Sequence, residues 1–263
     1  MNLKIGRFFY YANLTSGLFG TTVGPMNSKK SVNFEIIPIF DQSVAGLWNN
    51  FLKIELACDK AIYDLNPPVK AVLDNRLREY AGNLREYKHN FAFVAYYRKQ
   101  IIGFAQGFSI SPYEMYLNRL YVSPTYHHCG VGSKLLKAVE QSTTIYAKKL
   151  SLIALANAAD FYQLKHGYDQ FEYMEKYITP TANSIVPVFQ WTKKDFNLKF
   201  DIPVDTMELK HSKHQPVFVH VNGDCQIDAV ATRMPNGVTK LWSATNKLNA
   251  DSIRLLNALD KVR

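Results

Sequence analysis

The sequence predicts an α/β fold: a mixed sheet flanked by helices, followed by a small C-terminal α+β unit. Three observations predict it. Strand and helix signals alternate from residue 34 to residue 179, the pattern of a sheet with helical connections. At the centre lies a loop with two glycines, Gly130 and Gly132, between an aromatic-rich strand signal and an amphipathic helix signal. Beyond a polar, proline-bearing stretch at 179–184, four strand signals and one closing helix signal follow.

Composition sets the outer limits. The chain has 263 residues, 47% hydrophobic and 13% aromatic, enough for one large core or two small ones. No apolar run approaches the roughly 20 residues of a membrane helix. The opening MNLKIGRFFYYANLTSGLFG has no continuous apolar core, so no signal peptide is expected. Three widely spaced cysteines, Cys58, Cys129 and Cys225, read as reduced thiols in the cytoplasm, and neither they nor the histidines show metal-ligand spacing. The net charge is +9, yet residues 34–179 hold 16 Lys and Arg against 14 Asp and Glu, so most of the excess lies outside them. A solvated basic surface is expected, with no membrane and no dedicated nucleic-acid stripe.

Taken in order, residues 1–33 form an N-terminal extension with a strand signal at 4–11 and a Gly/Thr/Ser-rich remainder. Residues 34–40 read as a short strand. Val44, Leu47, Phe51, Ile54 and Cys58 recur at helical spacing, which predicts a helix over 43–58. Pro67 and Pro68 break the chain before a second helix at 69–87. Residues 91–97 and 101–110 read as a hairpin across Arg98, Lys99 and Gln100, with Gly103 and Gly107 as candidate bulge positions. The strand at 115–122 ends at Ser123-Pro124, because proline has no amide hydrogen for a ladder. A helix with Leu135, Val139 and Tyr146 on one stripe follows, then a strand at 150–154, a short helix at 158–165 and a strand at 171–178. The C-terminal unit, 180–263, carries strand signals at 185–190, 217–221, 226–233 and 238–243. Pro235-Asn236-Gly237 is a turn signal within it, and a helix is expected over 248–262.

Strand, short loop, two glycines and helix have a chemical meaning in that order. A helix starts with amide hydrogens that lack helical partners, and its dipole makes that end partly positive. Glycines remove side chains that would keep a phosphate away. No Gly-Lys-Ser/Thr follows, so this is not the phosphate loop of nucleotide hydrolases, and it lacks the third glycine of the dinucleotide fingerprint. On these residues alone, an anion cradle and a tight turn before a core helix both remain open.

The wider stretch LNRLYVSPTYHHCGVGSKLL resembles the acetyl-CoA-binding motif of the GCN5-related N-acetyltransferase (GNAT) superfamily, in which Arg/Gln-x-x-Gly-x-Gly/Ala joins the signature strand to a helix. The pattern falls on His127, His128, Cys129, Gly130, Val131 and Gly132, with His127 in the place of Arg or Gln. Downstream, Asn157 and FYQLKHGY (161–168) resemble the family's Asn and Phe-Tyr-Glu-Lys-x-Gly-Phe. The resemblance spans about 33–178 and implies a GNAT-like acetyltransferase domain over 34–179.

The resemblance also implies roles. The backbone of Leu120, Tyr121 and Val122 would pair with the pantetheine arm of acetyl-CoA, and Asn157 would help fix that arm. The amides of Cys129, Gly130, Val131, Gly132 and Ser133 would hold its pyrophosphate, and cofactor binding is expected to be weaker and pH-sensitive with His127 in the loop. Tyr162 would donate a proton to the leaving thiolate. Each role has a plain alternative: Tyr162 as packing, Asn157 as a helix cap. No base is evident, since the strand carries Asn118 where many relatives place Glu, and Glu114 stands at the strand's start. The function expected is acetyl transfer from acetyl-CoA directly to an amine of a small molecule or peptide, with no metal. A non-catalytic CoA- or macromolecule-binding module is the alternative, and a homodimer is left open.

Overall fold

Aromatic and β-branched side chains with both faces buried build the centre of the first sheet. The computed structural model describes residues 32–40, 46–66, 68–86, 90–154, 158–170, 174–189, 198–202, 216–234, 237–244 and 249–262. The strand signal at 4–11, Asn157 and part of the turn at 235–237 lie outside them. β2 (Phe91–Tyr97, FAFVAYY) shows no polar alternation because each face meets a helix layer. It turns into β3 (Gln100–Ser111) through Arg98 and Lys99, both at positive φ, 44° and 65°. That is the handedness a two-residue hairpin needs, achieved here without glycine.

The sheet is completed by β1 (Glu35–Pro38), β4 (Glu114–Val122), β5 (Lys149–Leu152), β6 (Asp169–Gln170) and β7 (Met174–Tyr177). The order is β1-β2-β3-β4-β5-β7-β6, antiparallel except for the parallel pair β4–β5. That pair requires a crossover, which α3 (Val131–Tyr146) supplies. Alternation along β2 sorts the layers. Phe91, Phe93 and Ala95 pack with Leu135 and Val139 of α3, while Val94 packs with Phe51 and Cys58 on the opposite face. That opposite face is covered by α1 (Leu47–Tyr63) and α2 (Lys70–Glu86), where Phe51 stacks on Phe104 with centroids 4.0 Å apart. α1 runs past the expected end at residue 58 and stops at Asp64, a left-handed C-cap. α4 (Ala159–His166) ends at Gly167, φ 67°, and the Tyr168 amide returns to the Tyr162 carbonyl at 3.1 Å.

The C-terminal segment forms a second, wholly antiparallel sheet of β8 (Ser184–Val188), β9 (Val217–Val221), β10 (Ile227–Arg233) and β11 (Thr239–Ser243), in the order β11-β10-β9-β8. Pro187 is tolerated because β8 is an edge strand. α5 (Ala250–Asp260) buries Leu255 and Leu259 in the cluster that holds Val219 and Val230. The α/β class, the flanked mixed sheet and this small α+β unit are those the sequence predicts. What the sequence did not indicate is a shared core. Phe189 stacks on Phe40 at 5.0 Å and meets Phe93 edge-on at 5.4 Å, and the Tyr146 hydroxyl donates to the Phe189 carbonyl at 2.5 Å. One apolar cluster therefore runs from α3 and the first sheet into the second.

Candidate active site

The site begins where two parallel strands part. β5 pairs with β4 only at Glu114, Met115, Tyr116 and Leu117. The next residue, Asn118, is a bulge: Gly107 opposes Leu117 and Gln106 opposes Arg119, leaving Asn118 without a partner position on β3. Beyond it, β4 has β3 on one side and no described strand on the other. The Ser123 amide donates to the Ile102 carbonyl at 2.8 Å. By the alternation of an antiparallel ladder, the backbone of Tyr121 then faces β3, and that of Leu120 and Val122 faces the open side. A Cβ on Gly103 would lie 3.0 Å from the Tyr121 carbonyl, which agrees.

One of those outward groups is already occupied. The Val122 carbonyl accepts from the Cys58 thiol at 3.1 Å and from His127 Nε2 at 2.8 Å. A carbonyl can only accept, so Nε2 of His127 carries its proton. His127 thus closes the loop onto the strand end. His128 is exposed at φ 62°, and Cys129 is half-buried with its amide 3.4 Å from the Tyr126 carbonyl. Burial pushes the Cys58 thiol up to about 11, so it is inert as a nucleophile.

The loop delivers the chain to α3 through Gly130 at φ 80°, a conformation that disfavours any side chain. No side chain caps α3, its first turn holds no acid, and the first helical bond is the Lys134 amide to the Gly130 carbonyl at 3.1 Å. Val131, Gly132 and Ser133 present their amides at this end without helical acceptors. A Cβ on Gly132 would meet Phe161 at 3.5 Å and Val122 at 3.7 Å, ordinary contact, so the protein's own packing does not demand glycine there.

α4 stands beside this helix start. Phe161 touches the Gly132 position, and Tyr162, buried, lies edge-on to Phe161 and Tyr168 at 5.0 and 5.7 Å. Burial pushes the Tyr162 phenol above its ordinary value, so it stays protonated at neutral pH and can act as a donor, not a base. At the C-terminal end of α4, His166 Nε2 lies 3.2 Å from Ser133 Oγ in the first turn of α3. Lys176 Nζ donates to the His166 carbonyl at 2.8 Å and to Glu140 at 2.9 Å, fastening α4 to α3. His166 was not among the residues the sequence singled out. Its only signal is its place one residue before Gly167 in the second motif.

The opposite face of β4 holds a second group the sequence did not reveal. Glu55 accepts from the Tyr80 hydroxyl and, at 2.9 Å, from Arg76, which also reaches Asp59 at 3.0 Å. Arg119, next to the bulge, places Nε 3.9 Å from Glu55 and its guanidinium 4.4 Å from the centre of the Tyr80 ring. Two carboxylates and two guanidiniums offset each other there. Burial, then Glu55, pushes the Tyr121 phenol up on the same face, where its ring stacks on Phe104 at 5.6 Å. The spacing of Glu55 and Asp59 on the stripe of Phe51 and Cys58 was the available signal. Glu114 pairs with Lys149 at 3.1 Å, about 13 Å along the strand from Asn118 at ~3.3 Å per residue.

Residues 88–170, less than half of the chain, match the family model described as an acetyltransferase (GNAT) domain. Among solved structures, the PaiA N-acetyltransferase of Thermoplasma acidophilum in complex with coenzyme A is 17% identical, TM-score 0.42, over 56% of this chain and 99% of that one. A GNAT-family acetyltransferase from Staphylococcus aureus Mu50 is 13% identical, TM-score 0.46, over 56% of this chain and 100% of that one. An aminoglycoside 6′-N-acetyltransferase complexed with coenzyme A is 14% identical, TM-score 0.43, over 56% and 98%. Comparison with curated proteins gives no match.

Proposed function

We propose, from the premise that this chain belongs to the GNAT acetyltransferase superfamily through residues 88–170, that it moves an acetyl group from acetyl-CoA directly to an amine of a small molecule or peptide. One observation carries the reading: the open edge of β4 at Leu120 and Val122 runs directly into the uncapped start of α3. An extended amide-bearing arm suits the strand edge, and a pyrophosphate suits the helix start. Under this reading Leu120 holds the arm through its outward amide and carbonyl and Val122 through its amide alone, while Tyr121 contributes its backbone to β3 and its ring to the acceptor side. His127 holds the Val122 carbonyl, and His128 and Cys129 shape the approach to Gly130. Val131, Gly132 and Ser133 take the pyrophosphate. Asn157 keeps its proposed place beside the arm.

Tyr162 is the proposed donor to the thiolate that departs when the C–S bond breaks. Its burial acts in two directions: the hydroxyl is protonated at any neutral pH, yet a weaker acid than a free phenol, so hydrogen bonding to the thiolate precedes proton transfer. The acceptor amine must arrive neutral or lose its proton to water. Asn118 cannot take it, Glu114 is paired at a distance, and the oxygens of Glu55 are engaged by Tyr80 and Arg76. The same lack of a carboxylate at the bulge favours the second reading, a CoA- or macromolecule-binding module without turnover. The free state of all three cysteines suits the proposed cytoplasmic location.

A thiol-release assay over amines, polyamines, amino acids and peptides tests the proposal. Acceptor-dependent release is the expected result. Cofactor binding with no release across the panel would transfer the protein to the second reading.

A further inference from the structure

We propose that His166 is a positioning residue of the cradle: it sets which way the Ser133 hydroxyl points and so makes anion binding at the start of α3 dependent on pH. The inference rests on the reading that this helix start takes the pyrophosphate of the cofactor.

The chemistry follows from one contact. His166 Nε2 and Ser133 Oγ are 3.2 Å apart. A serine hydroxyl has one proton to give. When Nε2 is bare, the hydroxyl donates to it, and the anion facing the helix start meets only a lone pair. When Nε2 carries a proton, it donates to Oγ, and the hydroxyl proton turns to the anion beside the Val131, Gly132 and Ser133 amides. Protonation of the ring on both nitrogens enforces the second arrangement and adds a positive charge.

The surroundings make this a balance that a ligand can tip. Glu140 of α3 faces the ring and favours its charged form, but that carboxylate is engaged by Lys176 at 2.9 Å and by the Tyr168 hydroxyl at 3.2 Å. Lys165 on α4 and Lys176 on β7 oppose the charged form, and the Phe161 ring lies 4.7 Å away. Partial burial is the largest influence, and it holds the His166 pKa below its ordinary value. The free protein at neutral pH therefore has a neutral His166. An anion bound one hydrogen bond away raises that pKa, so binding takes up a proton. Affinity is then greatest at low pH and falls as pH rises through the ligand-bound pKa. A rise of one unit corresponds to about tenfold in affinity.

The test is calorimetric titration with dephospho-CoA, whose pyrophosphate diester does not titrate near neutrality, from about pH 5.5 to about pH 8. Wild-type protein is expected to bind about tenfold more tightly at the acidic end. His166→Gln, which keeps a hydrogen-bonding group but cannot ionise, is expected to lose the part of the slope that His166 supplies and to bind with a shallower profile. Ser133→Ala is expected to make the slope shallower, since only the charge of the ring then acts on the anion, and the double variant to match the slope of His166→Gln. A slope in His166→Gln equal to that of the wild type overturns the proposal. A slope in Ser133→Ala equal to that of the wild type also overturns it, since His166 would then act without Ser133. Absence of binding by the wild-type protein at every pH overturns the cofactor reading itself and this inference with it.

Discussion

Two helices of this protein begin in opposite ways. α5 answers its own positive end: Asn249 caps it, its side chain accepting from the Ser252 amide at 2.8 Å, and Asp251 lies in the first turn. Asp251 also sits 3.7 Å from Nε2 of the buried His220, whose Nδ1 is 2.6 Å from Asp228. α3 does none of this, having a left-handed glycine, no capping side chain and no acid. A missing cap is not by itself a site, since α1 also starts at an uncapped left-handed glycine, Gly46. What separates α3 is its neighbourhood, the open edge of β4 on one side and α4 on the other. A helix start that closes on itself serves stability, and one left unanswered beside a free strand edge is available to a ligand.

Removing α5 altogether tests the contrast most severely. A chain ending at Asn183 probes the proposal that residues 34–179 form a domain with 180–263 as an accessory unit. It leaves Phe40, Phe93 and Tyr146 without Phe189 and Phe218, and large aromatic deletions in a core cost about 3–5 kcal/mol each. The expected outcome is a much lower melting temperature by calorimetry. A cooperative transition still raised by acetyl-CoA would keep the division, and aggregation would dissolve it.

Next in size, Gly130→Asp places an acid at the start of α3, making it resemble α5. Acetyl-CoA should raise the melting temperature of the wild type, because a ligand of the folded state stabilises it by mass action, and should not raise that of the variant. Normal binding by a folded variant would move the cofactor elsewhere.

Tyr162→Phe keeps the ring and its edge contacts with Phe161 and Tyr168 while removing the hydroxyl. Turnover should fall by roughly 10²–10⁴-fold if the phenol protonates the thiolate, with cofactor affinity nearly unchanged. Single-turnover kinetics against equilibrium binding separate the two effects. Unchanged turnover would return Tyr162 to packing.

The smallest effect belongs to α5. Asn249→Ala should cost about 1 kcal/mol in denaturant unfolding, the usual worth of an N-cap, and leave acetyl-CoA binding alone. Weakened binding would break the division of labour between the two helix starts.

Local signals were enough for much of this. Period-2 and period-3.6 patterns set β2, β3, β4, α3 and the second sheet with α5, because those patterns record which side chains leave water. Gly130 and Gly132 marked the loop, because a left-handed residue at φ 80° and an approach to bare amides are demands a single position must satisfy. The parting of β4 from β5 was not legible: a bulge at Asn118 depends on which residues of β3 lie opposite, and register is a property of the pair. Nor were Glu55 with Arg119, or His166 with Ser133, which stand 64 and 33 positions apart and meet only through packing. The sequence alone determined the elements and the glycine turn, whose causes lie within a few residues. The tertiary structure decided the open strand edge, the buried ion network, the contact of His166 with Ser133 and the core shared by the two sheets, since each of these exists only once distant segments come into contact.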